Sequence, residues 1–265
     1  MSIVIKTAEE IEKMRAAGKL AAEVLTMVAP HVKAGVTTNE LNDICAKYTE
    51  EQDAISAPLN YHGFPKSICT SVNDVICHGI PNNTPLKDGD IVNIDITVIK
   101  DGYHGDTSKM FLIGDVNAKN KRLCRIAQES LYAAIKKVKP GLKLGEIGTG
   151  IEKFIKASKS GLEKYSIVKD YCGHGIGAGF HEEPQVVHYK NGDKTVLRPG
   201  MCFTIEPMIN AGRHTTVLNK EDNWTVTTSD GKNSAQWEHT LLVTENGVEI
   251  LTLRDEEDLP RIINH

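Results

Sequence analysis

The sequence predicts an α+β fold made of two related halves. Three observations carry that expectation. A long antiparallel hairpin is centred on Asp101-Gly102, stretches of helical periodicity come in pairs, and several short blocks recur in the same order along the 265-residue chain.

The hairpin is the most informative stretch. Asp90-Ile-Val-Asn-Ile-Asp-Ile-Thr-Val-Ile99 and His104-Gly-Asp-Thr-Ser-Lys-Met-Phe-Leu-Ile113 are rich in apolar and β-branched residues. Asp-Gly between two such arms favours a two-residue type I′ turn. That turn pairs Lys100 with Tyr103, Thr97 with Asp106 and Asp95 with Ser108. Facing residues share a side and side chains alternate, so Asp95, Thr97, Asp106 and Ser108 fall on one face. Asp95 and Asp106 become diagonal neighbours, roughly 7–8 Å apart at the backbone. Strand interiors disfavour Asp, and two converging carboxylates repel until one takes a proton or a cation binds. A metal site explains the pair better than two solvated aspartates, because Asp95 sits inside the apolar run Ile91–Ile96.

The other elements follow in order. Thr7-Ala-Glu-Glu10 is a capping box. It opens a helix whose apolar positions are Ile11, Met14, Ala17, Leu20, Ala21, Val24, Leu25 and Val28, closed by Pro30. Thr38 opens a second, with Leu41, Ile44, Cys45 and Tyr48 on one side. Pro58 to Pro65 is turn-rich, and strands at 67–72 and 75–77 lead to the hairpin. Helices are expected over 119–138, beginning in the solvated Lys119-Asn-Lys-Arg122, and over 145–158. Strands are expected over 165–170, 185–187, 202–206, 224–227, 236–244 and 248–253, the last two joined at Asn246-Gly247.

The recurring blocks relate the halves. Val32-Lys-Ala-Gly-Val36 with Glu40-Leu41 returns as Val138-Lys-Pro-Gly-Leu142 with Glu146-Ile147. Cys77-His-Gly-Ile80 returns as Cys172-Gly-His-Gly-Ile176, and Leu86–Asp95 as Leu197–Glu206. Tyr103-His-Gly-Asp106 is echoed by Ala235-Gln-Trp-Glu238. Four blocks in one order suggest a pseudo-two-fold axis. The matches equate Asp95 with Glu206, Asp106 with Glu238 and His78 with His174. Four carboxylates and a histidine from each half would then meet near the axis, too much negative charge for a structural core.

Composition narrows the class. A formal charge of −4 argues against a nucleic-acid partner, which needs a basic face. The six cysteines (45, 69, 77, 124, 172, 202) contain no Cys-x-x-Cys, which fits reduced thiols in the cytoplasm rather than a disulfide frame or zinc ribbon. No signal peptide and no membrane span are expected. Oxygen-rich donors with one imidazole suit a pair of Mn, Co or Fe(II) ions roughly 3.5–4 Å apart, and hydrolysis is the first reaction class to consider. The glycine-rich Gly173–Gly179 lacks a Walker pattern. His181 gains interest from its nearness to His174. His31, His188, His214 and His265 are expected at the surface, and His62, His104 and His239 are given no role.

At this point the residues resemble a known family, the type I methionine aminopeptidases of bacteria. The resemblance runs over essentially the whole chain. It rests on Cys77-His-Gly-Ile-Pro81, Asp90–Asp95, Gly105-Asp-Thr-Ser108, Tyr171–Gly177, Phe180-His-Glu-Glu-Pro184, Thr204-Ile-Glu-Pro-Met208 and Gln236-Trp-Glu-His239. It implies the pita-bread fold: a curved antiparallel sheet with helices on its outer face. A single catalytic domain would cover 1–265, with halves approximately 1–115 and 116–265. It implies five metal ligands: Asp95 chelating one ion, Asp106 and Glu238 bridging, His174 and Glu206 completing the other. A metal-bound hydroxide would attack the carbonyl of an N-terminal methionine followed by a small residue. Glu206 would shuttle the proton, His181 would stabilise the tetrahedral intermediate, and His78 would contact the scissile amide. Tyr61, Phe64, Cys69, Phe180 and Trp224 would shape the methionine pocket, and Asn73, Val75 and Ser234 would hold a Na or K ion. Expected partners are the N-termini of nascent polypeptides and, transiently, the ribosome, with the protein a monomer. Pro58 stands where many bacterial relatives carry a pocket Cys, and Trp237 where Tyr is usual. Rival readings are a pita-bread peptidase cutting before proline, and a metal-free binding protein on this scaffold. The latter loses ligands that are intact here.

Overall fold

The computed structural model describes residues 2–158 and 164–265. Four helices carry its outer layer: α1 (Ala8–Val28), α2 (Thr38–Glu51), α3 (Ala118–Ile135) and α4 (Gly145–Ala157). Thr7 caps α1 through the expected reciprocal box with Glu10. Thr37 builds the same box with Glu40 at the start of α2. The expected opening residue, Thr38, lies one position inside, its hydroxyl engaged with the backbone of Asn82.

The strands are β1 (Ile55–Ser56), β2 (Cys69–Val72), β3 (Val75–Cys77), β4 (Ile91–Lys100), β5 (Tyr103–Leu112), β6 (Ser166–Ile167), β7 (Gly173–Gly175), β8 (Glu182–Val186), β9 (Cys202–Ile205), β10 (Met208–Asn210), β11 (Thr216–Leu218), β12 (Val226–Thr228), β13 (Ser234–Gln236), β14 (Glu238–Val243), β15 (Gly247–Ile250) and β16 (Ile262–Asn264). Among the described residues ten of them form one sheet with the path β1-β4-β5-β14-β9-β7-β8; β2 pairs with β4, β15 with β14 and β16 with β15. The continuous strand expected over 236–244 is broken at Trp237. The cause is partnership: β13 pairs with β10, whereas β14 joins β5 and β9. The strand expected over 165–170 shrinks to β6, which has only Ile209 and Asn210 to pair with.

The β4–β5 hairpin has the expected register, Lys100 opposite Tyr103 and Asp95 opposite Ser108. Asp101 and Gly102 both take positive φ (51° and 79°), as a type I′ turn requires.

The two halves repeat their contacts. Gly35 N donates to Leu86 O and Leu86 N to Val36 O; Gly141 N donates to Leu197 O and Leu197 N to Leu142 O. The bridges Thr37–Pro85 and Lys143–Val196 occupy matching places. The axis itself can be located. β5 pairs with β14 so that Thr107 faces His239. The repeat of Asp106 as Glu238 equates those same two positions. An antiparallel pair whose equivalent residues face each other is where a two-fold axis crosses a sheet, and the order β4-β5-β14-β9 is symmetric about it.

Each half covers the outer face of the sheet with its own helix pair. Leu20, Val24 and Leu25 of α1 and Leu41 of α2 pack on Val92, Ile94, Ile96 and Val98 of β4. Leu123, Ala127 and Leu131 of α3 and Ile147 and Ile151 of α4 pack with Phe203, Ile205, Leu241 and Val243. Alternation along β4 therefore turns Asn93, Asp95 and Thr97 to the other, inner face. No helix among the described residues is long and apolar enough to cross a membrane.

Glycine permits the closest approach of helix to sheet. A Cβ on Gly105 would lie 2.3 Å from the Ala17 carbonyl of α1. Gly105→Ala must push α1 away from the strand that carries Asp106. Overpacking of this kind costs about 1–3 kcal/mol, and calorimetry is expected to show Tm lowered by several degrees; an unchanged Tm would contradict this packing.

Candidate metal centre

The inner face gathers the acidic residues through strand register. Ser108 faces Asp95 on one side and Glu238 on the other. Thr97 faces Asp106 and donates its hydroxyl to Asp106 Oδ1 at 2.8 Å. β14 pairs His239 with Ile205, so Glu206, one residue on, falls beside Glu238. Thr204 links the second half together. Its Oγ1 accepts the His174 N–H (3.0 Å) and donates to Glu206 Oε1 (2.8 Å), while Gln236 Nε2 donates to Glu206 Oε2 (3.2 Å). Ligand atoms of Asp106, His174 and Glu238 all lie within 4.8 Å of one another. His174 Nε2 is 3.6 Å from Asp106 Oδ2 and 3.7 Å from Glu206 Oε1.

The electrostatics are unfavourable until a cation is supplied. Burial lifts the Asp95 carboxyl to about 7 and the Glu206 carboxyl to about 8. Asp106 and Glu238 are raised well above the usual carboxylate range, by burial first and then by the neighbouring negative charges. Arg254 is the one cation that acts on Glu238 among the causes of its shift, and it is committed to Glu257 at 2.9 Å and to Thr107 Oγ1 at 2.8 Å. Asp95 Oδ1 is buried without a hydrogen-bond partner. Burial also lowers His174 to about 4, so its ring is neutral. His174 Nδ1 lies 2.9 Å from the Gly175 carbonyl, which can only accept. The ring proton is therefore on Nδ1, and the Nε2 lone pair faces the carboxylates, the tautomer a metal ligand needs.

Comparison with known proteins adds the lineage. Residues 12–245 match the model of metallopeptidase family M24. The chain is 60% identical over 268 residues to methionine aminopeptidase of Escherichia coli (strain K12), covering 100% of this chain and 99% of that protein. The chain belongs to metallopeptidase family M24. Among solved structures, methionine aminopeptidase from Rickettsia prowazekii superposes with a TM-score of 0.92 at 55% identity, covering 95% of this chain and 100% of that one. Prolidase from Pyrococcus furiosus shares the fold, with a TM-score of 0.74 at 24% identity, covering 96% of this chain and 66% of that one. These relatives establish the pita-bread architecture for this M24 chain. Its donor set fits the divalent ions a metallopeptidase requires: the carboxylate oxygens of Asp106 and Glu238 and the imidazole lone pair of His174 converge at one place, and the orphaned Asp95 Oδ1 belongs to the lining of the same cavity.

A cavity of about 430 Å³ opens over this cluster. All five expected ligands line it, and so do His78, His181, Tyr61, Phe64, Cys69, Phe180 and Trp224. Phe64 meets Trp224 edge-on at 5.2 Å, and Tyr61 lies 4.9 Å from Phe180. His78 is wedged edge-on between Trp224 (5.9 Å) and Tyr171 (5.5 Å). His181 Nδ1 is 2.8 Å from the Tyr61 hydroxyl, and its ring centre is 4.2 Å from that of His174. Pro58 contributes to the wall, as do Cys77 and Met208. Asn73, Val75 and Ser234 lie off this cavity. Ser234 N donates to Asn73 O at 2.9 Å, while Val75 pairs with Thr227 on β12.

One expectation fails outright. His188, expected at the surface, is 1% exposed, and its Nε2 accepts the Glu206 N–H at 3.1 Å. The signal was available: Pro184, Val186 and His188 alternate inward along and just beyond β8. Gln236, whose amide steadies Glu206, was quoted within a motif but given no role.

Linkage turns these shifts into a stability test. The raised carboxyls hold their protons in the folded state after the unfolded chain has lost them, so stability falls as pH rises through their folded values. His78 and His174 (about 4) and His181 and His188 (about 3) are depressed from 6.5 and act in the opposite sense, but only below 6.5. Chelator-stripped protein should therefore lose stability between pH 6.5 and about 8, by about 1.4 kcal/mol per pH unit for each proton held only in the folded state, seen as a falling Tm that Mn²⁺ should restore. A flat or rising Tm over that range would contradict the buried-carboxylate account.

Proposed function

We propose that this M24 metallopeptidase is a methionyl aminopeptidase, hydrolysing the N-terminal methionine of nascent proteins and peptides whose second residue is small. One observation carries the reading: a carboxylate–imidazole donor set and an aromatic, apolar pocket share a single cavity. Relatives that bear the methionine aminopeptidase name over nearly their full length support it.

Asp95, Asp106, His174, Glu206 and Glu238 would hold the divalent ions, with Mn, Co or Fe(II) suiting the donors. Such ions supply a Lewis acid for the scissile carbonyl and a water acidic enough to attack near neutral pH. The remaining work falls to the protein. The thioether side chain lies among Phe64, Trp224, Phe180, Tyr61 and Cys69. The Cys69 thiol is pushed far up by burial and stays protonated, an apolar wall rather than a competing ligand. His78, lowered to about 4 by burial, contacts the scissile amide as a neutral ring. His181 is lowered to about 3 by burial and by its histidine neighbours. A Tyr61 hydroxyl donating to Nδ1 would put the proton of His181 on Nε2, from which it could be donated to the carbonyl oxygen as that oxygen gains charge. Glu206, steadied by Thr204 and Gln236, takes the proton of the attacking water and returns it to the leaving amine.

The proposal extends to a single catalytic domain acting as a monomer in the cytoplasm on chains leaving the ribosome. It also includes a Na or K ion at Asn73, Val75 and Ser234. Stripped protein reconstituted with Mn²⁺ or Co²⁺ and offered Met-Ala-Ser and Ala-Pro-Ser peptides tests the central reading. Metal-dependent release of methionine alone is expected. Cleavage of the prolyl peptide alone would keep the hydrolase and overturn its substrate; cleavage of neither, with metal bound, would overturn the activity.

A further inference from the structure

His181 stands on a loop that has little means of fixing its own shape. Between β7 and β8 it runs Ile176-Gly-Ala-Gly-Phe-His181, with glycine at 177 and 179, and glycine carries the largest backbone entropy and no side chain to pack. Something outside the loop must hold it.

The holding group comes from the far end of the chain. Lys6 is a buried lysine, its side chain 2% exposed, with Nζ 2.6 Å from Glu182 Oε2. Glu182 follows His181 directly, and its other oxygen, Oε1, accepts the Gly179 N–H at 2.9 Å. One carboxylate thus spans the loop, gripping Gly179 on one side of His181 and anchored by Lys6 on the other. Fit is close: a Cβ on Gly177 would lie 2.4 Å from Lys6 Nζ. Lys6 is itself fixed, because its N–H donates to Gly200 O at 2.9 Å and Ile5 packs against Gly200. His104 secures the loop start, its N–H and Nδ1 both meeting the Gly177 carbonyl at 2.9 and 3.0 Å.

We propose that Lys6 and Glu182 form a clasp that positions His181 for the reaction. The inference rests on the methionyl aminopeptidase reading and deepens it. A buried ion pair yields little net stability over apolar residues of the same volume, so the contribution of this pair lies in where it holds the loop. Lys6 and Glu182 are positioning residues, and neither makes a hydrogen bond or ion pair to Asp95, Asp106, His174, Glu206 or Glu238.

Lys6→Met alone would strand the Glu182 charge and could unfold the chain. The paired variant Lys6→Met/Glu182→Gln leaves no lone charge and keeps an acceptor for Gly179. For that variant, kcat on Met-Ala-Ser should fall roughly ten- to hundredfold, as expected when a reacting group is misplaced by about 1 Å. Mn²⁺ affinity of the stripped protein, read by calorimetry, should not change. Adding His181→Ala should lower kcat no further than His181→Ala does alone, because residues acting through one group are not additive. A folded paired variant with unchanged kcat, or one whose loss adds in full to that of His181→Ala, would overturn the clasp while leaving the enzyme reading intact. An unchanged kcat in His181→Ala itself would overturn the role of His181 and the clasp with it.

Discussion

The enclosure of four carboxylates on the inner face of one sheet is the constraint on which the structure depends. Asp95, Asp106, Glu206 and Glu238 face one another across the inner surface of the sheet, and the pKa of each is driven upward. A fold that merely wanted a core would place valines there, as it does on the opposite face of β4. The cluster is a candidate cation site, and its surroundings turn oxygen atoms toward it. Thr97, Thr204 and Gln236 orient the carboxylates by donating to them without adding charge. His188 holds the backbone of Glu206.

The two-fold construction explains how one chain assembles so costly a site. Each half supplies two acidic residues on a strand pair and two helices to cover the outer face. The axis passing between Thr107 and His239 brings the two sets together where β5 meets β14. The halves have then diverged. His174 turns its lone pair to the cluster, while its counterpart His78 sits between Trp224 and Tyr171 and belongs to the pocket. One copy of the repeated histidine borders the carboxylates and the other the aromatic wall of the cavity.

Much of this was legible in the sequence because period-two alternation and an Asp-Gly turn leave little freedom. The hairpin register, the inner-face placement of Asp95 and Asp106, and their repeat equivalents Glu206 and Glu238 all followed from counting. The family resemblance supplied the pocket residues, which do line one cavity. What escaped was set by partners distant in sequence. Trp237 interrupts an apolar run because its two sides pair with different strands. The alternation of Pro184, Val186 and His188 points His188 inward, but nothing nearby in sequence reveals that it will meet the backbone of Glu206. Lys6 carries no signal of its role in the sequence, since its burial depends on a loop far along the chain.

The central claim is that the cluster is held together by exchanging protons for divalent cations. Calorimetry of Mn²⁺ binding to stripped protein at pH 7, repeated in buffers of different ionisation heat, counts the protons released. At least one proton per protein should be released, because Glu206, lifted to about 8, and Asp106 and Glu238, raised well above the usual carboxylate range, must ionise to bind metal, whereas His174 is already neutral. Binding without proton release would mean that the carboxylates are ionised beforehand, and the account of carboxyls raised by burial and by one another would fail.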